Sequence, residues 1–139
     1  MKKILDVHRA DKATMTDGAP FAVPGTDVLI WIRPAGTGNA AYQAAAARAI
    51  QKYRRFLALD PGYPPAQKAS RRAFFDHCVV RWEGNDLVED GAPTPLTWEN
   101  FDQLCDEAPF LLDMMSEFAR DQANYRAEDI ASDGERVGN

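Results

Sequence analysis

Residues 74–104, FFDHCVVRWEGNDLVEDGAPTPLTWENFDQL, join two helical patterns through a polar loop. The first pattern predicts a helix over residues 65–82 with apolar residues on one face, and Gly84 is placed to end it. An Asp-Gly pair and two prolines predict the loop over residues 85–95. Thr97 is a good N-cap, so a second helix should begin there. This segment therefore favours a mainly helical domain.

Helical patterns also lie on both sides of this segment. Asn39 can cap an Ala-rich helix whose apolar residues recur at spacings of three and four. Residues 60–65 contain three prolines and a glycine, which end that helix. Pro109 suits the first position of a last helix. The four helices expected are residues 40–59, 65–82, 97–107 and 109–126.

The first third of the chain has a β pattern instead. Residues 28–32 are β-branched and aromatic, and residues 14–16 could form an antiparallel partner across a turn at Asp17-Gly18. The expected fold class is therefore α+β and mostly α, with a short N-terminal antiparallel β-hairpin followed by four helices in a small bundle. The expected organisation is a single domain over residues 1–128, with an arm (1–13), a β element (14–34) and a helical part (39–127), followed by a disordered tail (129–139).

Length, charge and composition limit the possible functions. A chain of 139 residues has room for one core. Its net charge of -5 disfavours nonspecific binding to nucleic acid, which needs Lys and Arg to neutralise phosphates. No apolar run approaches the roughly 20 residues that span a bilayer, and no signal peptide is visible. We therefore expect a cytoplasmic protein that binds neither nucleic acid nor membranes.

Two motifs look like chemical sites, but local structure explains them better. Residues 36–41 fit G-x-G-x-x-A between a strand and a helix, but a dinucleotide site also needs a second parallel strand, and another helix follows instead. His77 and Cys78 are neighbours on a predicted helix, so they point about 100° apart and cannot face one site. Cys78 should lie in the core and His77 at the surface. We expect no enzymatic activity, no cofactor and no metal, because two His and two Cys give no zinc-ligand spacing.

The loop after the first helical pattern is acidic. Its carboxylates, on Glu83, Asp86, Glu89 and Asp90, do not follow the order of a calcium-binding loop. We prefer the first of two interpretations, although the sequence does not decide between them. The loop is either simply solvated, or it docks a basic helix or a neighbouring subunit.

Large apolar residues crowd into the last third of the chain, where three short helices cannot easily hide them all. Most should be core, and a minority should be exposed in a groove lined by Met and aromatic side chains, as in adaptable protein-binding surfaces. The candidate partner-binding residues are Trp82, Trp98, Phe101, Phe110, Met114, Met115, Phe118, Arg54 and Arg55.

Several of these segments resemble the tail assembly chaperones of long-tailed bacteriophages and prophages. The two most specific matches are VVRWEG at residues 79–84 and PLTWEN at residues 95–100. Arg33 near the end of a predicted strand and NAAY at residues 39–42 match in kind. The resemblance covers roughly residues 29–125, most of the chain.

The resemblance implies protein binding and no catalysis. Members of this family bind the long, largely helical tape measure protein, and often tail tube subunits, and keep them soluble until the tail polymerises. They are usually absent from the finished virion, so the implied location is the host cytoplasm. Many such genes also encode a longer form made by frameshifting. Two positions depart from the family pattern: Leu96 replaces a common aromatic, and Tyr125 replaces a frequent Phe.

Charge asymmetry adds a hypothesis about self-association. Basic residues cluster over residues 48–72 and acidic residues dominate from Glu83 onward, so the two regions could pair head to tail between copies. The alternative function is a structural tail completion or connector subunit that stays in the virion, since a β element with a flexible arm and tail would suit a ring. Detection of the chain in purified particles would separate the two functions.

Overall fold

The computed structural model describes residues 1–127, 129 and 130, and this part of the chain is mainly helical with two small sheets. Its seven α-helices are α1 (Lys2–His8), α2 (Lys12–Asp17), α3 (Ala40–Lys52), α4 (Arg54–Leu59), α5 (Pro64–His77), α6 (Trp98–Glu107) and α7 (Pro109–Arg120). Its five strands are β1 (Ala19–Ala22), β2 (Leu29–Ile32), β3 (Val79–Glu83), β4 (Val88–Glu89) and β5 (Ala92–Pro93). Short 3-10 helices cover Asn85–Leu87 and Gln122–Asn124.

Local sequence explains where the main helices begin. The side-chain oxygen of Asn39 accepts a hydrogen bond from the backbone N–H of Tyr42 at 3.1 Å. The hydroxyl oxygen of Thr97 accepts one from the backbone N–H of Asn100 at 3.2 Å. Pro109 lies in the first turn of α7, where its missing N–H costs nothing. All three helix-start predictions are confirmed.

Three antiparallel strands form the main sheet in the order β1-β2-β3, so β2 is the central strand. Ile30 lies opposite Trp82 of β3, and a register shift between Trp31 and Ile32 marks a β-bulge. Ile30 and Ile32 are buried, and Trp31 between them points to the other face of the sheet. There the guanidinium of Arg81 lies 3.5 Å from the centroid of the Trp31 ring, a cation–π contact.

An apolar core fills the space between the sheet and helices α5, α6 and α7. Its largest fully buried side chains are Phe101, Ile30, Ile32, Met115, Cys78 and Cys105. The buried hydroxyl of Tyr125 closes one end of the core by donating to the carbonyl of Ile32 at 2.8 Å. The carbonyl of Tyr125 accepts from the N–H of Asp11 at 2.7 Å, so the segments before α2 and after α7 lie side by side.

A reciprocal hydrogen-bonded latch ties the turn before β2 to the segment after β3. The carboxylate of Asp27 accepts from the backbone N–H groups of Asn85 and Asp86 at 2.9 and 2.8 Å. The carboxylate of Asp86 in turn accepts from the N–H of Asp27 at 2.8 Å. The N–H of Asp86 contributes most to lowering the pKa of the Asp27 carboxyl. Gly84 packs against this latch with a φ of +148°.

The predicted fold class is wrong in two respects. The described residues form seven helices instead of four, and the strands are not confined to an N-terminal hairpin. Strand β3 replaces the end of the helix predicted over residues 65–82, and that helix, α5, stops at His77. Val79, Val80 and Trp82 are good strand formers, and pairing with the edge of β2 satisfies their backbone groups.

The N-terminal predictions also need correction. Residues 14–16, expected as a strand, lie in α2, because the carboxylate of Asp11 caps that helix by accepting from the N–H of Thr14 at 3.0 Å. The hairpin partner of β2 is therefore β1. The predicted arm, residues 1–13, contains α1 and the start of α2.

The remaining differences concern helix ends and the tail. The helix predicted over residues 40–59 breaks at Tyr53 into α3 and α4, and the helix predicted over residues 109–126 ends at Arg120. Of the predicted disordered tail, residues 131–139 lie outside the described residues, while 129 and 130 are helical. None of the helices in the described part of the chain combines the length and apolar character that a membrane crossing needs.

Replacement of Gly84 by Ala should lower the free energy of unfolding by about 3 kcal/mol, because only Gly adopts this backbone conformation readily. A Cβ at Gly84 would also lie 2.9 Å from the carbonyl oxygen of Asp27. Gly91→Ala is the matched control: its φ is +79°, but no atom lies within 4 Å of the added Cβ. The control should lose about 1 kcal/mol. Urea unfolding measures the free energy of unfolding of both variants. Equal losses would contradict the close packing of Gly84 against the latch.

Candidate functional site

Two of the predicted partner-binding residues belong to the core. Phe101 and Met115 are fully buried, and the Phe101 ring packs against Phe75 with centroids 5.2 Å apart. Phe101 shares the inner face of α6 with Cys105, and Met115 shares that of α7 with Ala119. The structure therefore corrects the prediction for these two, because neither can contact a partner while the domain is folded.

Three other predicted residues are half-buried. The indole N–H of Trp82 donates to the carbonyl of Thr94 at 2.8 Å. The Trp98 ring lies 4.9 Å from the guanidinium carbon of Arg72. Phe118 packs against the edge of the core. Each of these aromatic side chains thus has a structural role and also keeps some accessible surface.

The remaining predicted residues are exposed but lie on separate surfaces. Phe110 and Met114 are one helical turn apart on an outer flank of α7, and Phe110 is 79% exposed. Arg54 and Arg55 are exposed on the short helix α4. The structure therefore does not bring the nine predicted residues into one groove.

A groove of about 340 Å³ lies between the sheet, the loop after β3 and helix α6, and we call it the acidic groove. Its apolar lining consists of Val23, Val28, Ile30, Trp82, Leu87, Leu104 and Leu111. Its polar lining consists of Thr26, Asp86, Glu89, Thr94, Asn100, Gln103 and Glu107. Trp82 is thus the predicted residue that contributes to this surface.

Hydrogen bonds hold the loop that forms one wall of the acidic groove. The backbone N–H and the hydroxyl of Thr94 both donate to the carbonyl of Leu87, at 2.9 and 2.6 Å. The carbonyl of Thr94 accepts from Trp82, as described above. The side-chain amide of Asn100 donates to the carbonyl of Pro95 at 2.9 Å, which fixes the start of α6. The wall is therefore built by local contacts and is not a loose loop.

The charge of the acidic groove has one sign. Asp86, Glu89 and Glu107 line it, and no Lys or Arg is among its lining residues in the described chain. An apolar floor with an acidic rim suits a segment that carries apolar and basic side chains. The carboxylates of the acidic loop are exposed, as expected for a solvated loop, and the same lining is also compatible with the docking interpretation.

A second groove, of about 390 Å³, lies between α3, α4, α5 and α7, and we call it the helix groove. Its apolar lining consists of Ala49, Ile50, Leu57, Pro61, Ala66, Phe74 and Leu112. Its polar lining consists of Tyr42, Gln67, Ser70, Arg71, Ser116 and Arg120. The buried Nε of Arg71 has no hydrogen-bond partner among the described residues. The charged groups of this groove are guanidinium groups, opposite in sign to those of the acidic groove.

Part of the basic cluster is paired with acidic residues inside the chain. The Lys68 amine lies 2.8 Å from the carboxylate of Asp102. The Arg71 guanidinium lies 2.6 Å from Asp102 and 2.7 Å from Asp106. This network joins α5 to α6. Head-to-tail pairing between copies would therefore have to use other charged residues.

The two cysteines have a packing role. Cys78 and Cys105 are buried free thiols, which confirms the core position predicted for Cys78. Burial raises the pKa of Cys78 to about 12 and that of Cys105 to about 11. Both thiols therefore stay protonated at neutral pH, and the thiolate is the reactive form. His77, expected at the surface, is half-buried, and its carbonyl accepts from the Asn39 amide at 2.9 Å.

Sequence reasoning missed most residues of the acidic groove. Leu104 and Leu111 belong to apolar helical patterns that are typical of core positions. Val23 and Val28 flank the turn between β1 and β2, and no local pattern relates that turn to α6. The acidic loop was the available signal, because one of its two interpretations is a docking loop.

Comparison of this chain with protein-family models, with curated proteins and with solved structures finds no match. Its function is therefore inferred from its own residues and geometry.

Asp102→Asn should destabilise the protein by about 1–2 kcal/mol at neutral pH, because hydrogen bonds to a charged partner are lost. Burial raises the pKa of Asp102, but the bonds from Lys68 and Arg71 together outweigh this and lower it. Because the pKa of Asp102 is lower in the folded state, its carboxylate stabilises the fold at pH values above the unfolded-state pKa of about 3.9. This stabilisation is lost as the pH falls through the folded-state pKa.

The difference between Asp102→Asn and wild type should therefore shrink toward pH 3, as measured by urea unfolding at several pH values. Asp113→Asn is the control, because Asp113 is exposed on α7 and has no side-chain hydrogen bond among the described contacts. A loss for Asp102→Asn that does not depend on pH would contradict the ionic contribution.

Proposed function

We propose that this protein is a tail assembly chaperone of long-tailed bacteriophages. It binds the tape measure protein, tail tube subunits or both, and keeps them soluble in the host cytoplasm during tail assembly. Its activity is protein binding without catalysis, and it does not stay in the mature virion.

The observation that carries the proposal is that both motifs of the family resemblance contribute to one groove. Residues 79–84 form β3 and the glycine after it, and they supply Trp82 to the acidic groove. Residues 95–100 lead into α6 and supply Asn100 to the same groove. Thr94 lies just before the second motif and accepts the hydrogen bond from Trp82. The two motifs are therefore brought together at one surface of the folded chain.

The chemistry of this surface suits an amphipathic helix. Such a helix presents apolar residues at positions i, i+3, i+4 and i+7, and its stripe could cover Trp82, Leu104 and Leu111. Basic residues at the edges of the stripe would lie near the carboxylates of Glu89 and Glu107. A tape measure protein that is largely helical offers many segments of this kind.

The helix groove gives the chain a second contact surface, which prefers acidic segments, whereas the acidic groove prefers basic ones. The guanidinium of Arg120, beside Ile50 and Leu112, suits a helical segment that carries carboxylates, while Arg71 is already paired with Asp102 and Asp106. Modest affinity at each groove is enough for a chaperone, because several copies along one long helix gain avidity from being linked through it. Coverage of apolar surface, more than tight binding at one point, keeps such a helix soluble.

Co-expression with the tape measure protein of the same phage tests the proposal. The tape measure protein should become soluble and copurify with this chain. If it stays insoluble, and this chain is found in purified particles, the chain is instead a structural tail completion or connector subunit and the proposal is wrong.

A charge-reversed variant tests whether the acidic groove is the binding surface. Glu89→Lys/Glu107→Lys should weaken binding of the tape measure protein by about tenfold or more, because two attractions become repulsions. Asp113→Lys/Glu117→Lys makes the same charge change on α7, outside the lining of both grooves, and should bind like wild type. Binding of the solubilised complex is measured by titration. Equal weakening in both variants would mean that only net charge matters.

A further inference from the structure

Helix α1 has an apolar surface that the described chain leaves partly uncovered. It spans seven residues, and none of them is buried. Ile4 is 64% exposed, and Leu5 and Val7 are each 38% exposed. A helix this short is marginal in water without tertiary contacts, because nucleation costs more than a few hydrogen bonds return. A surface that covers these three side chains would stabilise α1.

The charges of α1 and of the acidic groove are complementary. Lys2 and Lys3 lie in the first turn of α1, and Arg9 follows the helix, against a single carboxylate at Asp6. The groove offers an apolar floor with carboxylates at its rim and no basic lining residue. The helix thus carries the combination of apolar and basic side chains that this groove suits.

The position of α1 separates it from the groove of its own copy. The carbonyl of Arg9, just after α1, accepts from the N–H of Ala127 at 2.9 Å, and Ala10 and Ala119 line one cavity. Leu111, at the other end of α7, lines the acidic groove. At the rise of an α-helix, Ala119 and Leu111 are about 12 Å apart along the axis of α7. The root of α1 therefore lies near the C-terminal end of α7 and the acidic groove near its N-terminal end, and no residue of α1 lines that groove.

We propose that α1 of one copy docks in the acidic groove of a second copy. Ile4, Leu5 and Val7 cover the apolar floor, and the amines of Lys2 and Lys3 approach the rim carboxylates. Because the two contacting surfaces are different, the contact is heterologous, and each copy keeps one free helix and one free groove for further copies. This interaction goes beyond the proposed function, because it concerns the chain alone, and a docked α1 would compete with a tape measure segment for the same groove.

Sedimentation of the purified full chain tests this contact without any tape measure protein. Wild type should associate with rising concentration, and the association should weaken with salt as rim charges are screened. The helix variant Ile4→Ser/Leu5→Ser and the groove variant Glu89→Lys/Glu107→Lys should each weaken association by about tenfold or more. Phe56→Ser/Leu59→Ser is the control, because both side chains are exposed on α4 away from these surfaces.

A mixture of the helix variant and the groove variant gives the sharpest result. The intact α1 of the groove variant can dock in the intact groove of the helix variant, so the mixture should form dimers that do not grow further. Urea unfolding of each variant shows whether it is folded. A wild type that stays monomeric at all concentrations, or a mixture that behaves like its separate components, would overturn the proposal. If the groove variant loses tape measure binding, that result bears only on the proposed function, because self-association is measured without the tape measure protein.

Discussion

The pairing of β3 with β2 is the contact on which the rest of the structure depends. Without it, the central strand would leave one row of backbone N–H and C=O groups unpaired beside the core, which is costly. The ladder continues beyond the strands, because the N–H of Arg33 donates to the carbonyl of Cys78 at 2.7 Å. The pairing places Trp82 opposite Ile30, and both side chains line the acidic groove. The latch between Asp27 and Asp86 then fixes the far end of the same pair of strands.

Charged side chains form an ion-pair network between two helices and also line the two grooves. The network of Lys68, Arg71, Asp102 and Asp106 neutralises charges where α5 meets α6. Burying such a network partly offsets its own attraction by desolvation, so its value lies as much in fixing the two helices as in stability. With Arg71 paired, the helix groove keeps the guanidinium of Arg120, and the acidic groove keeps the carboxylates of Asp86, Glu89 and Glu107.

Signals that act over a few residues were predictable from the sequence, and long-range pairing was not. The caps at Asn39 and Thr97 and the turn at Asp90-Gly91 depend on neighbours in sequence, and the structure has all three. The segment from Val79 was misassigned because its apolar residues also continue a helical pattern, and only a distant strand edge decides between the two. The acidic groove depends on contacts between the β1-β2 turn, the loop after β3 and α6, so sequence patterning showed its acidic loop but not its apolar floor.

The like-charged linings of each groove also limit how copies of this chain can meet. If two acidic grooves faced each other, Glu89 and Glu107 of both copies would approach and repel, and the apolar floors could not make up for desolvated carboxylates. Two helix grooves that faced each other would likewise bring the guanidinium groups of Arg120 from both copies together. Symmetric contacts through either groove are thus disfavoured, while contacts between unlike surfaces are allowed. The heterologous contact proposed between α1 and the acidic groove is of this allowed kind, because it joins a basic helix to an acidic surface.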